Sequence, residues 1–363
     1  LGDEETGMSE VLEERAESIR MIRDSAGAVA PPGGDSKRVR ALRFAAPGFD
    51  KGVFAQMGEF GWIGLAVDEA AGGAGLGVSE AIALTEELAA GLAPEPLIPA
   101  MLSARLLAGA DDQSLLALLL AGKQVVLTAW QERADTLAVP GNADAPRVFI
   151  PQAGGADVFL VPVREGAGLA LYAVPASGAD LTLEKTMDGG YFGTLRADPA
   201  RGKRIAADIG AVLDAALDEA ALMTAGAMVG LMERAFDMTL AYLKTRQQFG
   251  RIIGTFQALQ HRAADLKIHL SLTRAAVEAA AAALDAGAEG DARKVAVSKA
   301  KARAGESGLM VLRQCIQLHG GIGYTDEYDV GLYLRRGMVI ANQFGSAALH
   351  RRRFMALAPE DAE

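Results

Sequence analysis

The chain has 363 residues, half of them apolar and 23% charged, with 46 acidic against 36 basic side chains and a formal charge of −10. That length suits two or three domains around a substantial core, and the acidic balance argues against broad contact with nucleic acid or anionic lipid. A single cysteine, Cys315, excludes an internal disulfide, and the Cys and His spacing offers no zinc site.

In chain order, the first 121 residues carry helical spacing. In "SEAIALTEELAAGL", Ser79 to Leu92, apolar residues recur every three or four positions behind Ser79, a candidate N-cap. "PPGGD" at Pro31–Asp35 and "APEPLIP" at Ala93–Pro99 read as loops. The longest apolar runs, such as Ser114–Gly122, are too short to span a bilayer. The acidic start "LGDEETGMSE" is not a signal peptide, so a cytoplasmic location with no membrane contact is expected.

Residues 122–200 change character. "QVVLTAW", "RVFIPQ", "DVFLVPV", "LALYAVP" and "LTLEKTM" are short runs rich in Val, Leu, Phe and Thr, punctuated by Pro, Gly, Ala and Asp. They predict a small antiparallel β-domain, a barrel or sandwich.

Twelve of the 13 prolines lie at or before Pro199, and the last is Pro359. Proline costs about 3 kcal/mol inside a helix, so the proline-free stretch that follows predicts a helical domain. Long helices are expected near 208–246, 256–286 and 291–317, then shorter ones near 328–341 and 346–357. Leu259, Ala263, Leu266, Leu270, Thr273 and Val277 form one stripe, and Gly287–Gly290 marks a turn. The expected class is α+β: an N-terminal α-helical domain (1–121), a middle antiparallel β-domain (122–200) and a C-terminal long-helix bundle (201–363).

One stretch is unusual for a helical surface. "YLKTRQQFGRIIGTFQALQHRAADLK", Tyr242 to Lys267, gathers Arg, Gln and aromatic residues around a Gly-Arg-Ile-Ile-Gly turn. Guanidinium and amide groups suit a phosphate-bearing ligand. They equally suit the polar corner of a helical hairpin, with Arg246 capping a helix C-terminus.

This stretch resembles the Arg-x-Gln-Phe-Gly signature, and the Phe-Gln that follows it, of the acyl-CoA dehydrogenase family of flavoproteins. "QLHGGIGYTDEYDVGLYLRR", Gln317–Arg336, is similar to a second family signature, and "GWIGLAVDEAAGGAGLGVSEAIALTEEL", Gly61–Leu88, resembles the family's N-terminal domain. The resemblance spans nearly the whole chain. It implies FAD as cofactor, with Arg246, Gln248 and Phe249 along its ADP portion and Gln257, Gln317, Gly320 and Gly321 nearby, Gly-Gly allowing close backbone approach. In the family these groups reach the FAD of a neighbouring subunit, which implies an oligomer. It also implies α,β-desaturation of an acyl-CoA thioester, with an electron-transferring flavoprotein as acceptor.

Several positions depart from the family pattern. Phe344, in "NQFGSAALHRRRF", stands where many members carry the glutamate that removes the α-proton, and phenylalanine accepts no proton. A second base position on the first long helix falls on Ala220, with Glu219 one residue and about 100° away. Glu219 is the remaining candidate base, and Asp218 beside it a candidate substrate contact; the two read equally as a solvated pair in the first helical turns. Thr128 is kept on the flavin-facing side, but Ala129-Trp130, Pro151-Gln152 and Ala348 replace family residues there. A backbone N–H at Phe344 is still able to bind a thioester oxygen. Three readings follow: a subunit of a heteromeric enzyme, expected as a heterotetramer, whose paralogous partner supplies base and flavin pocket; a self-sufficient homotetramer using Glu219 or another carboxylate; and a non-catalytic scaffold.

Overall fold

A computed structural model describes residues 2–31, 34–141 and 144–358. Six helices come first: α1 (Gly2–Ala26), α2 (Ser36–Leu42), α3 (Lys51–Glu59), α4 (Val78–Ala90), α5 (Leu97–Ala108) and α6 (Gln113–Leu120). Seven strands follow: β1 (Val126–Thr128), β2 (Arg147–Pro151), β3 (Val158–Glu165), β4 (Gly168–Pro175), β5 (Asp180–Lys185), β6 (Tyr191–Arg196) and β7 (Lys203–Ala206). The long helix α7 (Gly210–Thr245) leads to a hairpin, β8 (Gln247–Gln248) and β9 (Arg251–Ile252), then to α8 (Gln257–Asp285), α9 (Gly290–His319), α10 (Val330–Ile340) and α11 (Ala347–Leu357). The five C-terminal helices end within two residues of their expected bounds, and the Gly287 turn stands where glycine's positive φ is needed.

The strands form two sheets, ordered β1-β3-β4-β7 and β2-β6-β5. The expected antiparallel domain contains one parallel pair, β1 with β3. The chain leaves β1, contributes β2 to the second sheet, and re-enters the first in its original direction. Strand β7 pairs with β4 beyond residue 200, so pairing runs six residues into the segment expected to be helical. Its Lys203 and Arg204 lie on an exposed edge, which is why no apolar run announces it.

Two local expectations need correction. Ser79 is not the N-cap of α4; Gly77 holds that place, and Ser79 lies inside the first turn. The orphan N–H groups of Val78 and Ser79 donate to Asp285 at 2.7 and 3.1 Å, a carboxylate from the last residue of α8. A cap from 206 residues away has no local signature. In the Ala93–Pro99 loop, Leu97–Pro99 already belong to α5, where proline fits the first turn. Of the Pro31–Asp35 loop, Pro32 and Gly33 lie outside the described residues.

Helix α7 is the axis of the fold. It contains a window long and apolar enough to cross a membrane, contrary to the sequence expectation, but 89% of that window is buried inside the protein. It is a core helix. Its backbone comes very close to α4: a Cβ on Gly230 would lie 2.0 Å from the Glu86 carbonyl oxygen, and one on Gly226 would lie 2.7 Å from the Ile82 side chain. Gly230→Ala should therefore destabilise the fold by about 1–3 kcal/mol, read as a lower urea midpoint; an unchanged midpoint would show that the two helices separate freely.

Candidate functional site

The sequence-derived residues fall in two separate places. The first is a cavity of about 670 Å³ where α5, the strands and the α10–α11 turn meet. Thr128, Trp130, Pro151, Phe192 and Phe344 line it. Trp130 is both buried and a wall of this cavity. The Thr128 hydroxyl lies 2.9 Å from Ser103 Oγ, so it is already engaged within the protein. Pro151 offers no N–H.

Phe344 is 6% exposed and adopts φ 55°, a left-handed conformation uncommon for a bulky residue. Its turn is held from outside the cavity. His350 Nε2 lies 2.8 Å from the Phe344 carbonyl oxygen, and His350 Nδ1 lies 3.2 Å from Ser298 Oγ. A carbonyl only accepts, so Nε2 carries the proton and Nδ1 accepts from the serine. Burial pushes the His350 pKa down to about 4, which keeps this neutral form. The Ser346 N–H donates to Asp135 at 3.0 Å. No acceptor for the Phe344 N–H is found among the described residues.

Beside this cavity lies a smaller one, about 70 Å³, bordered by Thr224 and Ala227 of α7 and by Gln343. Ala220 falls on the same helical face at spacings of four and three. Glu219 is rotated off that face. It lines a separate 20 Å³ cavity with Met101 and Met223, 3.4 Å from Arg105 Nε, and burial raises its pKa. Asp218 is completely buried and lines neither cavity. Arg293 Nε donates to it at 2.9 Å and Arg353 forks onto both its oxygens. The expected solvated pair is thus two carboxylates in the third turn of α7, because helices α5, α9 and α11 bring arginines over them.

The second place is the polar corner, which is exposed. Phe249 and Gly250, at φ 53° and 75°, form the two-residue turn of the β8–β9 hairpin. Phe249 is 89% exposed, edge-on to Phe256, and Arg251 stacks over the Phe256 ring at 4.0 Å. Arg246 is the C-cap residue of α7, its backbone N–H donating to the Tyr242 carbonyl oxygen at 2.9 Å, while its guanidinium contacts no carbonyl or carboxylate among the described residues; the main chain makes the cap and leaves the side chain unengaged. Gln248, Gln257 and Gln317 are exposed as well. Tyr242 stacks on His319 at 4.7 Å, which ties the end of α7 to the end of α9 and so sets Gln317, Gly320 and Gly321 beside the same surface. Gly320 has φ 64°, and a Cβ on it or on Gly321 would meet nothing within 4 Å.

Sequence reading missed His350, Ser298, Asp135 and Lys301. Lys301 had a signal: it interrupts the buried stripe of α9 between Val297 and Ala304.

The comparisons with known proteins agree with this architecture. Residues 16–113 match the model of the acyl-CoA dehydrogenase N-terminal domain, and residues 210–356 match that of the acyl-CoA dehydrogenase C-terminal domain. The chain belongs to the acyl-CoA dehydrogenase family, a family of FAD-dependent oxidoreductases. It is 30% identical over 325 residues to acyl-CoA dehydrogenase IpdE2 of Mycobacterium tuberculosis, covering 88% of this chain and 91% of that one. Among solved structures, a variant of the Tcur3481-Tcur3483 steroid ACAD superposes with a TM-score of 0.82 at 31% identity, covering 95% of this chain and 97% of that one. The ChsE4-ChsE5 complex from Mycobacterium tuberculosis gives 0.82 at 25% identity, with 95% and 98% covered.

The His350 geometry has a consequence for stability. Its folded pKa of about 4 lies below the ordinary 6.5, so between those values the unfolded chain binds a proton that the folded chain does not. His350 therefore withdraws stability as pH falls from about 6.5 to about 4. His350→Gln should lose less stability than the parent across that window in urea titrations; parallel profiles would contradict the neutral, buried imidazole.

Proposed function

We propose that this chain is the accessory subunit of a heteromeric, FAD-dependent acyl-CoA dehydrogenase, lending the corner around Arg246 to a flavin held mainly by a paralogous subunit. The observation that carries this reading is Phe344: the turn that would present a base presents a hydrocarbon. Glu219 faces Arg105 in a different cavity, which leaves the thioester's α-proton to a carboxylate of the partner. Along α7, Thr224 and Arg246 are 22 positions apart, about 33 Å at 1.5 Å per residue. The corner is therefore too far from this chain's own cavity to complete it, and its natural use is on another subunit.

The corner fits the adenosine-diphosphate end of FAD. Arg246 is free to fork onto phosphate oxygens, Gln248, Gln257 and Gln317 carry amides for polar edges, and Gly320-Gly321 leaves open space. When bound, FAD supplies the hydride acceptor of the desaturation. In this chain the Phe344 N–H remains able to donate to a thioester oxygen, a contact independent of the side chain. The Tcur3481-Tcur3483 and ChsE4-ChsE5 structures each name two components, which supports a paired assembly, and the first makes ring-bearing acyl-CoA thioesters the substrates to try first. An electron-transferring flavoprotein is the proposed acceptor, and the cytoplasm the proposed location.

Expression alone should give a colourless chain without acyl-CoA oxidation, and co-expression with a paralogue should give a yellow, active complex. A chain purified alone that is yellow, oxidises acyl-CoA and loses turnover but not colour in Glu219→Gln would overturn the proposal in favour of a self-sufficient homo-oligomer. A chain that stays colourless and inert with every paralogue would be a scaffold. In the active complex, Arg246→Gln should weaken FAD retention about tenfold or more, the scale of a charge-assisted hydrogen bond; retention equal to the parent would remove Arg246 from the flavin site.

A further inference from the structure

Beneath the turn that ends α10 lies a buried polar cluster, Lys301 and His350, to which the sequence reading assigned no role. Lys301 of α9 is 2% exposed, and its Nζ donates to the Ile340 carbonyl oxygen at 3.3 Å. Ile340 is the last residue of α10, so its carbonyl lies at the negative end of the helix; it accepts the Gln343 N–H at 3.1 Å within the turn, and Lys301 supplies a second donor. Four residues on, His350 donates to the Phe344 carbonyl oxygen at 2.8 Å, and Gly345 leaves room for it: a Cβ there would be 2.8 Å from His350 Nε2. Both side chains grip main-chain atoms, so their hold does not depend on which side chain stands at 344. Neither borders the large cavity, although Val339, Asn342, Gln343, Phe344 and Ser346 between and around their anchor points do.

We propose that Lys301 and His350 are positioning residues that fix the Ile340–Ser346 turn as a preformed wall of the large cavity. They thereby also fix the Phe344 N–H assigned above to the thioester oxygen; only this last clause rests on the proposed function.

Packing alone does not account for the pair. An apolar residue of similar length would fill the place of Lys301 without the desolvation penalty of a buried amine, a penalty visible in a pKa pushed down to about 7. The amine's one hydrogen bond goes to the turn. His350, likewise buried, directs its only N–H at the same turn and is steadied by Ser298 behind it. Asp135 holds the far end through the Ser346 N–H. Three anchors between Ile340 and Ser346 make this wall stiff before anything binds.

The test uses Trp130, a wall of the same cavity and one of two tryptophans in the chain. In a Trp62→Phe background Trp130 is the sole indole reporter. Lys301→Met and His350→Leu should shift its emission and weaken binding of the apolar dye anilinonaphthalene sulfonate about tenfold, the scale of one net hydrogen bond. His350→Gln, which keeps a donor close to Nε2, should restore both, a rescue that a merely space-filling role would not give. Far-UV circular dichroism verifies the fold, and if His350→Leu fails to fold, Lys301→Met carries the same two readouts. Emission and dye affinity equal to the parent in folded Lys301→Met, or a His350→Gln variant as impaired as His350→Leu, would overturn the proposal. Neither readout needs turnover, so a chain that stays inert with every paralogue but whose emission shifts would sink the function alone, and an active complex whose emission does not move would sink the positioning role alone.

Discussion

The close approach of α7 to α4 is the constraint on which the rest of the molecule depends. Two glycines, Gly226 and Gly230, let one helical backbone lie against the other, and the 36-residue α7 thereby becomes a buried axis. Everything functional is placed relative to it. Near its start, Asp218 is locked by Arg293 and Arg353; at its middle, Thr224 and Ala227 face a cavity; past its end, Arg246 stands in solvent. A buried carboxylate is costly unless its partners are well placed, and here two guanidiniums answer one carboxylate. The clamp joins α7 to α9 and α11, so the helix that carries the corner and the helices that hold the Phe344 turn cannot move independently.

How much of this could be read from sequence depended on how local each cause was. The C-terminal helices were legible because the absence of proline and the Leu259–Val277 stripe act residue by residue. The α4 cap was not: a serine in the right place was overruled by Asp285, delivered by the far end of another helix. The parallel β1–β3 pair was hidden for the same reason, since it depends on where the chain goes between the strands. At the site, the helical period correctly turned Glu219 away from the face of Ala220. The expectation that Asp218 and Glu219 are solvated failed because nothing in their neighbourhood in sequence announces Arg105, Arg293 or Arg353.

The corner illustrates the opposite case, in which composition was informative but ambiguous. Arginine and glutamine beside a helix end suit either a cap or a ligand grip. What separates them is where each polar group finds its partner. Arg246 caps α7 with its main-chain N–H alone, and its guanidinium has no partner among the described residues; the hairpin is braced by Arg251 over Phe256 and by the Tyr242–His319 stack. The bracing residues are engaged with one another, and those that suit phosphate and adenine are left exposed.

The turn at Phe344 completes the logic. Holding a bulky residue in the left-handed region costs on the order of 1 kcal/mol or more, and burying a lysine nearby adds a desolvation penalty. Neither makes sense for a turn whose only task is to join two helices, since a glycine at 344 and a leucine at 301 would do that with less strain. Both become intelligible if the turn's main chain, and not its side chain, is what must be held in place. A phenylalanine offers no proton acceptor, but the carbonyl that His350 grips and the N–H, which has no acceptor among the described residues, do not depend on the side chain. Under the proposed function, in which a partner subunit takes the proton, this turn needs no proton acceptor at 344 but still needs its backbone held where the cavity wall stands.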